Sequence, residues 1–254
     1  MTRRLVLWRH GQTAWNAQGR AQGQHDVPLD ETGVSQARAA ATRLASLEPA
    51  GIVSSDLARA ADTAAELARL TGIEVQYDRR LREVHFGERE GLTMEESLAR
   101  FPDVTRRWLR AENVRFPGGE TYRETAQRFA AALTDLAAQT NDGDTVVVAA
   151  HGGAMRVGTG AFLRFPPSLW QAFGGFANCN WAVLVEARLG WRIDEWNAGS
   201  LPEPVMGDDE LRPAGIAGSD GTRAGGRAGT GDAPTAGTHR PAGTPARSAL
   251  PERG

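Results

Sequence analysis

The sequence predicts an α/β fold: a three-layer α/β/α sandwich on a mostly parallel sheet with an antiparallel edge, followed by a disordered C-terminal tail. Three observations carry this. Short continuous apolar runs, the pattern of strands buried on both faces, alternate with longer segments of helical periodicity. That alternation calls for crossover connections, hence parallel strands with helices on both faces of the sheet. Composition then breaks near residue 200. Residues 201–254 hold eleven of the 30 Gly and seven of the 13 Pro but no aromatic residue, whereas all seven Trp come earlier. Such a tail lacks the apolar side chains needed to offset its ordering entropy. The folded domain is expected over residues 1–200 and the tail over 201–254.

Taken in order, residues 5–8 (LVLW) form the first apolar run, read as a strand. Residues 31–47 carry Val34, Ala37, Ala41, Leu44 and Leu47 at three- and four-residue steps and read as a helix. Residues 51–54 are a second short strand. Residues 56–70 place Leu57, Ala60, Ala64, Leu67 and Ala68 on one helical face, and Gly72 ends that helix. A strand is expected at 74–77 and a mixture of strand and loop over 79–93. Two short helices fill 94–111. After Gly118-Gly119, residues 120–139 repeat Ala126, Phe129, Leu133 and Leu136 at helical spacing. The turn Asn141-Asp142-Gly143 leads to the strongest strand, 145–150, and then to a helix over 152–163. Pro166-Pro167 marks a turn, and residues 181–187 and 191–196 make a hairpin around Leu189-Gly190, supplying the antiparallel edge.

Composition excludes several function classes. The net charge is -2, so a strongly basic nucleic-acid binder is excluded. The 29 Lys+Arg residues are all Arg, so phosphate-loop, Schiff-base and general-base lysines are absent. No apolar stretch reaches the length of a membrane span, and the run after the basic N-terminus is too short for a secretory signal. Cys179 is the single cysteine, which rules out an intrachain disulfide and reads as a small buried hydrophobe. The expected compartment is the cytoplasm, with no nucleic-acid or membrane partner. A homodimer is compatible with the sequence, which does not fix the oligomeric state.

The chemistry is expected at the carboxyl ends of the strands, where open α/β sheets bind ligands. His10 follows the first strand and His151 follows the strand at 145–150. Each precedes a glycine, Gly11 and Gly152 respectively. One such His alone reads as a buried core residue; two at equivalent strand ends read as a site. Arg9 adjoins His10, and Arg59 lies just after the second strand. Two planar guanidinium groups beside helix N-terminal amides suit a phosphate dianion. A carboxyl group near Glu83 completes the set, although spacing does not separate Glu83 from Glu88 and Glu90. His25 and His85 flank these loops and read as structural. Trp108, Phe116 and Trp170 read as core packing, with a sugar-lining role as the functional alternative.

Four ordered motifs then carry a family resemblance. Leu7-Trp8-Arg9-His10-Gly11-Gln12-Thr13 with Asn16, Ser54-Ser55-Asp56-Leu57 with Arg59 and Thr63, Leu81-Arg82-Glu83 with Phe86-Gly87, and Val148-Ala149-Ala150-His151-Gly152-Gly153 resemble the signatures of the histidine phosphatase superfamily, phosphoglycerate mutase-like branch. The resemblance runs through Trp196-Asn197 and stops short of the tail. It implies a metal-independent phosphomonoesterase without a cofactor, acting on a small phosphate ester through a phosphohistidine intermediate. His10 is then the nucleophile, and Arg9, Arg59 and His151 hold the phosphoryl oxygens. Asn16, Gln22, Gly23 and Gly152 line the substrate site. Glu83 protonates the leaving alkoxide, a role that implies a carboxyl pKa raised by burial and by the phosphate charge. The His10 ring nitrogen not used for attack is expected to donate to a backbone carbonyl.

Within the family, mutases carry a longer, lysine-bearing segment after the acid motif. Here residues 91–119 are short and lysine-free, which resembles the phosphatases. The segments at 20–26, 174–178 and 192–198 resemble phosphatases acting on a phosphorylated sugar acid. A phosphoglycerate mutase, a broad-specificity acid phosphatase and a non-catalytic phosphate-binding module are the alternatives. Because every proposed catalytic group falls within residues 9–151, the tail is expected to be dispensable for chemistry.

Overall fold

Alternation along the first strand organises the domain. In β1 (Arg4–Arg9), Leu5 and Leu7 turn to one face of the sheet while Val6 and Trp8 turn to the other, and all four are fully buried. A strand buried on both faces must lie inside a sandwich, and two separate cores result. The computed structural model describes residues 2–199. The expected tail, residues 201–254, lies outside the described residues.

The remaining strands are β2 (Gly51–Ser54), β3 (Val75–Tyr77), β4 (Thr145–Ala150), β5 (Trp181–Ala187) and β6 (Gly190–Ala198). The helices are α1 (Ala14–Ala17), α2 (Glu31–Ala45), α3 (Ala58–Thr71), α4 (Met94–Arg100), α5 (Pro102–Leu109), α6 (Tyr122–Gln139) and α7 (Gly152–Phe162). The sheet order is β3-β2-β4-β1-β5-β6. The first four of these strands are parallel, and β5 and β6 add the antiparallel edge. One core packs Leu5, Leu7 and Val148 against Phe129 and Leu133 of α6 and Met155 of α7. The opposite core packs Val6, Trp8 and Val147 against Ala37, Ala41 and Leu44 of α2 and Ala64 and Leu67 of α3. The three-layer expectation holds.

Helix boundaries follow local chemistry. Asp30 caps α2 by accepting from the Gly33 amide. Thr93 and Thr121 close capping boxes with Glu96 and Glu124 at α4 and α6. Gly72, in the left-handed region, ends α3. The helix expected from residue 56 starts at Ala58, because Asp56 turns outward to pair with Arg82 through two 2.6 Å contacts.

Residues 79–93 depart from expectation. They hold two short 3-10 turns, Arg79–Leu81 and Gly87–Arg89, and no strand. Side chains take the backbone groups that a ladder would use. The amides of Val84, His85 and Phe86 donate to the carboxylates of Glu83, Glu120 and Glu90. The carbonyls of Arg80, Arg82 and Glu83 accept from Arg128. This segment is thereby fixed without joining the sheet.

Candidate active site

β4 inserts between β1 and β2, so the strand order reverses beside β1. The paired residues Arg9 and Ala150 end β1 and β4 level with each other, and Ser54 of β2 pairs with Ala149. The next residues, His10, His151 and Ser55, therefore emerge side by side at the carboxyl edge. The two imidazole rings lie 5.2 Å apart between centroids, tilted by 56°. Both are buried.

Hydrogen bonding decides what His10 presents. Its Nδ1 lies 2.7 Å from the Gly11 carbonyl, which can only accept, so Nδ1 carries the hydrogen. Nε2 is left with its lone pair. Burial, followed by the charges of Arg59 and Arg9, holds the His10 pKa well below its usual 6.5 and keeps the ring neutral. His151 is held low in the same direction, by burial first and Arg59 next.

The guanidinium groups are aimed by backbone carbonyls. Arg9 donates to the Phe176 carbonyl. Arg59, fully buried, donates to the Gly23 carbonyl at 2.7 Å and the His25 carbonyl at 2.9 Å. Gly23 and His25 thus act through Arg59. Gly23 adopts φ +53, and a Cβ there would stand 2.1 Å from Glu90 Oε1. Beside it the Asp26 carboxylate accepts from the Ala58 amide at the start of α3.

The structure separates the three carboxylates that spacing left together. Glu88 is exposed and pairs with Arg100. Glu90 accepts from the Gln24 and Phe86 amides and braces the loop. Glu83 is buried against the N-terminus of α7, accepting from Val84 N at 2.8 Å, Gly153 N at 3.1 Å and Ala154 N at 2.7 Å. These three amides fix the position of the Glu83 carboxyl group at the start of α7.

The neutral side chains are oriented by one another. Asn16 Oδ1 accepts from the Thr13 amide and Asn178 Nδ2, and the Asn16 backbone amide donates to the Thr13 hydroxyl. Gln22 Oε1 accepts from the Thr13 hydroxyl, which turns its amino end the other way. Gly152 opens α7, and a Cβ there would only touch the Arg9 side chain. His151, Gly152, His10, Arg9, Arg59, Glu83, Asn16 and Gln22 are therefore brought to one edge.

Sequence reasoning missed Thr63 and Asn178 as positioning groups. Thr63 Oγ1 accepts from the Gly11 amide at 3.1 Å and donates to the Arg59 carbonyl at 2.7 Å, joining the His10–Gly11 turn to α3. Asn178 donates to the His10 carbonyl. The sequence offered only their membership in the motifs as a signal. Other residues behave as packing. His25 stacks on Trp15 at 4.7 Å, and His85 lies 3.7 Å from Glu90. Trp108 and Phe116 fill a satellite core under α4 and α5, with the Arg89 guanidinium over the Trp108 ring. Trp170 packs on Ala126 and Val157. Cys179 is buried, and burial pushes its thiol up to about 12, so it is no nucleophile. Among the described residues no group of three or more His, Cys, Asp or Glu is placed to hold a metal ion, and no helix is long and apolar enough to cross a membrane.

A pair of strand-end histidines, two carbonyl-anchored arginines and a carboxylate on a helix N-terminus stand together at the carboxyl edge of the sheet. The model of the histidine phosphatase superfamily, branch 1, matches residues 5–199, and the chain belongs to that family. Among its relatives is glucosyl-3-phosphoglycerate phosphatase of Mycobacterium tuberculosis, 39% identical over 213 residues, covering 78% of this chain and 96% of that protein. The metal-independent phosphoserine phosphatase of Arabidopsis thaliana is 36% identical over 197 residues, covering 76% and 80%. A solved structure of mycobacterial glucosyl-3-phosphoglycerate phosphatase with VO3 superimposes with a TM-score of 0.73 at 40% identity, covering 78% of this chain and 100% of that one. The chain is accordingly a phosphatase of this fold.

Proposed function

We propose that the chain hydrolyses phosphate monoesters through a phosphohistidine on His10, with a phosphorylated sugar acid of the glucosyl-3-phosphoglycerate kind as substrate. The observation that carries the mechanism is the His10 Nδ1 bond to the Gly11 carbonyl, which frees Nε2 beside Arg9, Arg59 and His151. The Nε2 lone pair forms the N–P bond as the ester P–O bond breaks. Arg9, Arg59 and His151 hold the equatorial oxygens, aided by Asn16, Gln22 and the Gly152 backbone. The leaving alkoxide takes a proton from Glu83. Three backbone amides hold the Glu83 carboxyl group in place for that transfer. Water then attacks phosphorus, Glu83 takes its proton, and the P–N bond breaks to restore neutral His10. Ester and water become alcohol and inorganic phosphate. No step uses a metal or cofactor.

The substrate assignment rests on the relatives and on the short, lysine-free segment 91–119. A cytoplasmic location fits the single buried cysteine. Phosphate release from glucosyl-3-phosphoglycerate, 3-phosphoglycerate, phosphoserine and an aryl phosphate tests the proposal. Fastest release from the sugar acid is expected. Equal rates on all four would refute the assignment in favour of a broad-specificity phosphatase, and isomerisation without phosphate release would indicate a mutase.

A further inference from the structure

The two ring nitrogens of His151 meet different surroundings. Nε2 lies 2.9 Å from Ser55 Oγ. Nδ1 is buried with no hydrogen-bond partner among the described residues, on a ring 5.2 Å from that of His10. A neutral imidazole has one donor and one acceptor, so Ser55 selects which of them faces the phosphoryl group.

Ser55 is itself held tightly. Its amide donates to the Ala149 carbonyl at 2.9 Å, extending the β2–β4 pairing beyond the sheet. Its carbonyl accepts from Ser54 Oγ at 2.8 Å. Its hydroxyl oxygen accepts from the Leu57 amide at 3.3 Å. The hydroxyl still has its hydrogen to give, and His151 Nε2 is the ring nitrogen beside it.

We infer that Ser55 is a positioning residue that fixes His151 as the neutral Nδ1–H tautomer, so that the imidazole meets the transferring phosphoryl group as a hydrogen-bond donor. The inference rests on the phosphoryl-transfer reading above. The opposite tautomer would aim a lone pair at an anionic oxygen and leave two acceptors facing each other at the phosphate. Burial and the Arg59 charge disfavour the imidazolium. His151 therefore gives the phosphate a hydrogen bond without a proton to lose, and proton transfer stays with Glu83.

The test uses full-length protein with 15N-labelled histidine. Two-bond proton–nitrogen spectra of wild type should show His151 protonated at Nδ1. In Ser55→Ala the tautomer should move toward Nε2–H, and kcat/KM should fall by about 10- to 100-fold, the scale of one lost phosphoryl donor. Ser55→Thr keeps the hydroxyl and should restore kcat/KM to within about threefold, less than 1 kcal/mol. Orthovanadate affinity should follow the same order. An Nε2–H tautomer in wild type would overturn the inference whether or not Ser55→Ala folds. So would a Ser55→Ala protein that keeps both the Nδ1–H tautomer and wild-type kcat/KM. A wild-type chain with the Nδ1–H tautomer but no phosphatase activity would support the hydrogen-bond assignment and overturn the phosphatase reading.

Discussion

Gly153→Ala separates catalysis from stability in this domain. Gly153 lies in the first turn of α7, where its amide donates to Glu83 Oε2 at 3.1 Å. A Cβ built there would stand 2.9 Å from Glu83 Oε1 and 3.4 Å from Cδ and Oε2. Real contacts do not reach 2.9 Å, so something must shift. What shifts is the tip of a side chain, not backbone, so the fold suffers little; replacing Gly by Ala in a helix returns about 0.5–1 kcal/mol. The Glu83 carboxylate, however, leaves its seat on the Gly153 and Ala154 amides. Losing one hydrogen bond to a charged group amounts to about 1.5–3 kcal/mol. If that loss falls on the transition state, it is about 10- to 100-fold in rate. The assay is kcat on an alkyl phosphate ester, whose leaving group needs the acid, beside an aryl phosphate, whose leaving group does not. We expect a thermal midpoint equal to or above wild type, KM little changed, and a larger loss of kcat on the alkyl ester in a pre-steady-state phosphorylation measurement. An alkyl-ester kcat within twofold of wild type would refute the placement of Glu83 as the general acid–base.

Two further predictions follow from the same contacts. Thr63→Val keeps the side-chain volume but strips the Gly11 amide of its acceptor in a buried setting, so equilibrium unfolding should show a loss of about 1–3 kcal/mol together with a lower kcat; an unchanged midpoint would contradict the link between α3 and the nucleophile loop. For pH, His10 and His151 are both held well below 6.5 in the folded chain, so below that value the unfolded chain binds more protons. Stability should therefore be full above pH 6.5 and decline as pH falls through and below it, while the nucleophile stays neutral and kcat/KM shows no acid limb near 6.5. An acid limb centred at 6.5 would mean that His10 titrates as a solvated imidazole.

The legible parts of the site were those set by strand ends. His10 and His151 each follow an apolar run, and the parallel register of β1 and β4 turns those positions into neighbours. Arg9 and Arg59 were legible for the same reason. Glu83 was not separable from Glu88 and Glu90 by local pattern, because the contacts that distinguish it come from Gly153 and Ala154, 70 and 71 positions away. The segment 79–93 misled for a related reason: its backbone groups are satisfied by Glu90, Glu120 and Arg128, and no periodicity records that. The four-residue α1 is too short to show a period, and it is held by the Thr13–Asn16 capping box instead. The hairpin forms where the spacing predicts it, although β6 runs two residues further, to Ala198, where Asn180 accompanies it by donating to the Asn197 carbonyl. The roles of Thr63 and Asn178 depend on the packed arrangement of β1, α1 and α3 and have no sequence signature of their own.

His10 Nε2 is expected to carry the phosphoryl group during turnover. Rapid quench of the full-length protein with a 32P-labelled phosphate ester, followed by base-stable, acid-labile peptide mapping, tests it directly. Label is expected on His10 in wild type, trapped in greater amount in Glu83→Gln with an aryl ester, and none in His10→Ala, which should also lack turnover. Label on another residue, or wild-type turnover in His10→Ala, would rule out His10 as the phosphoryl carrier.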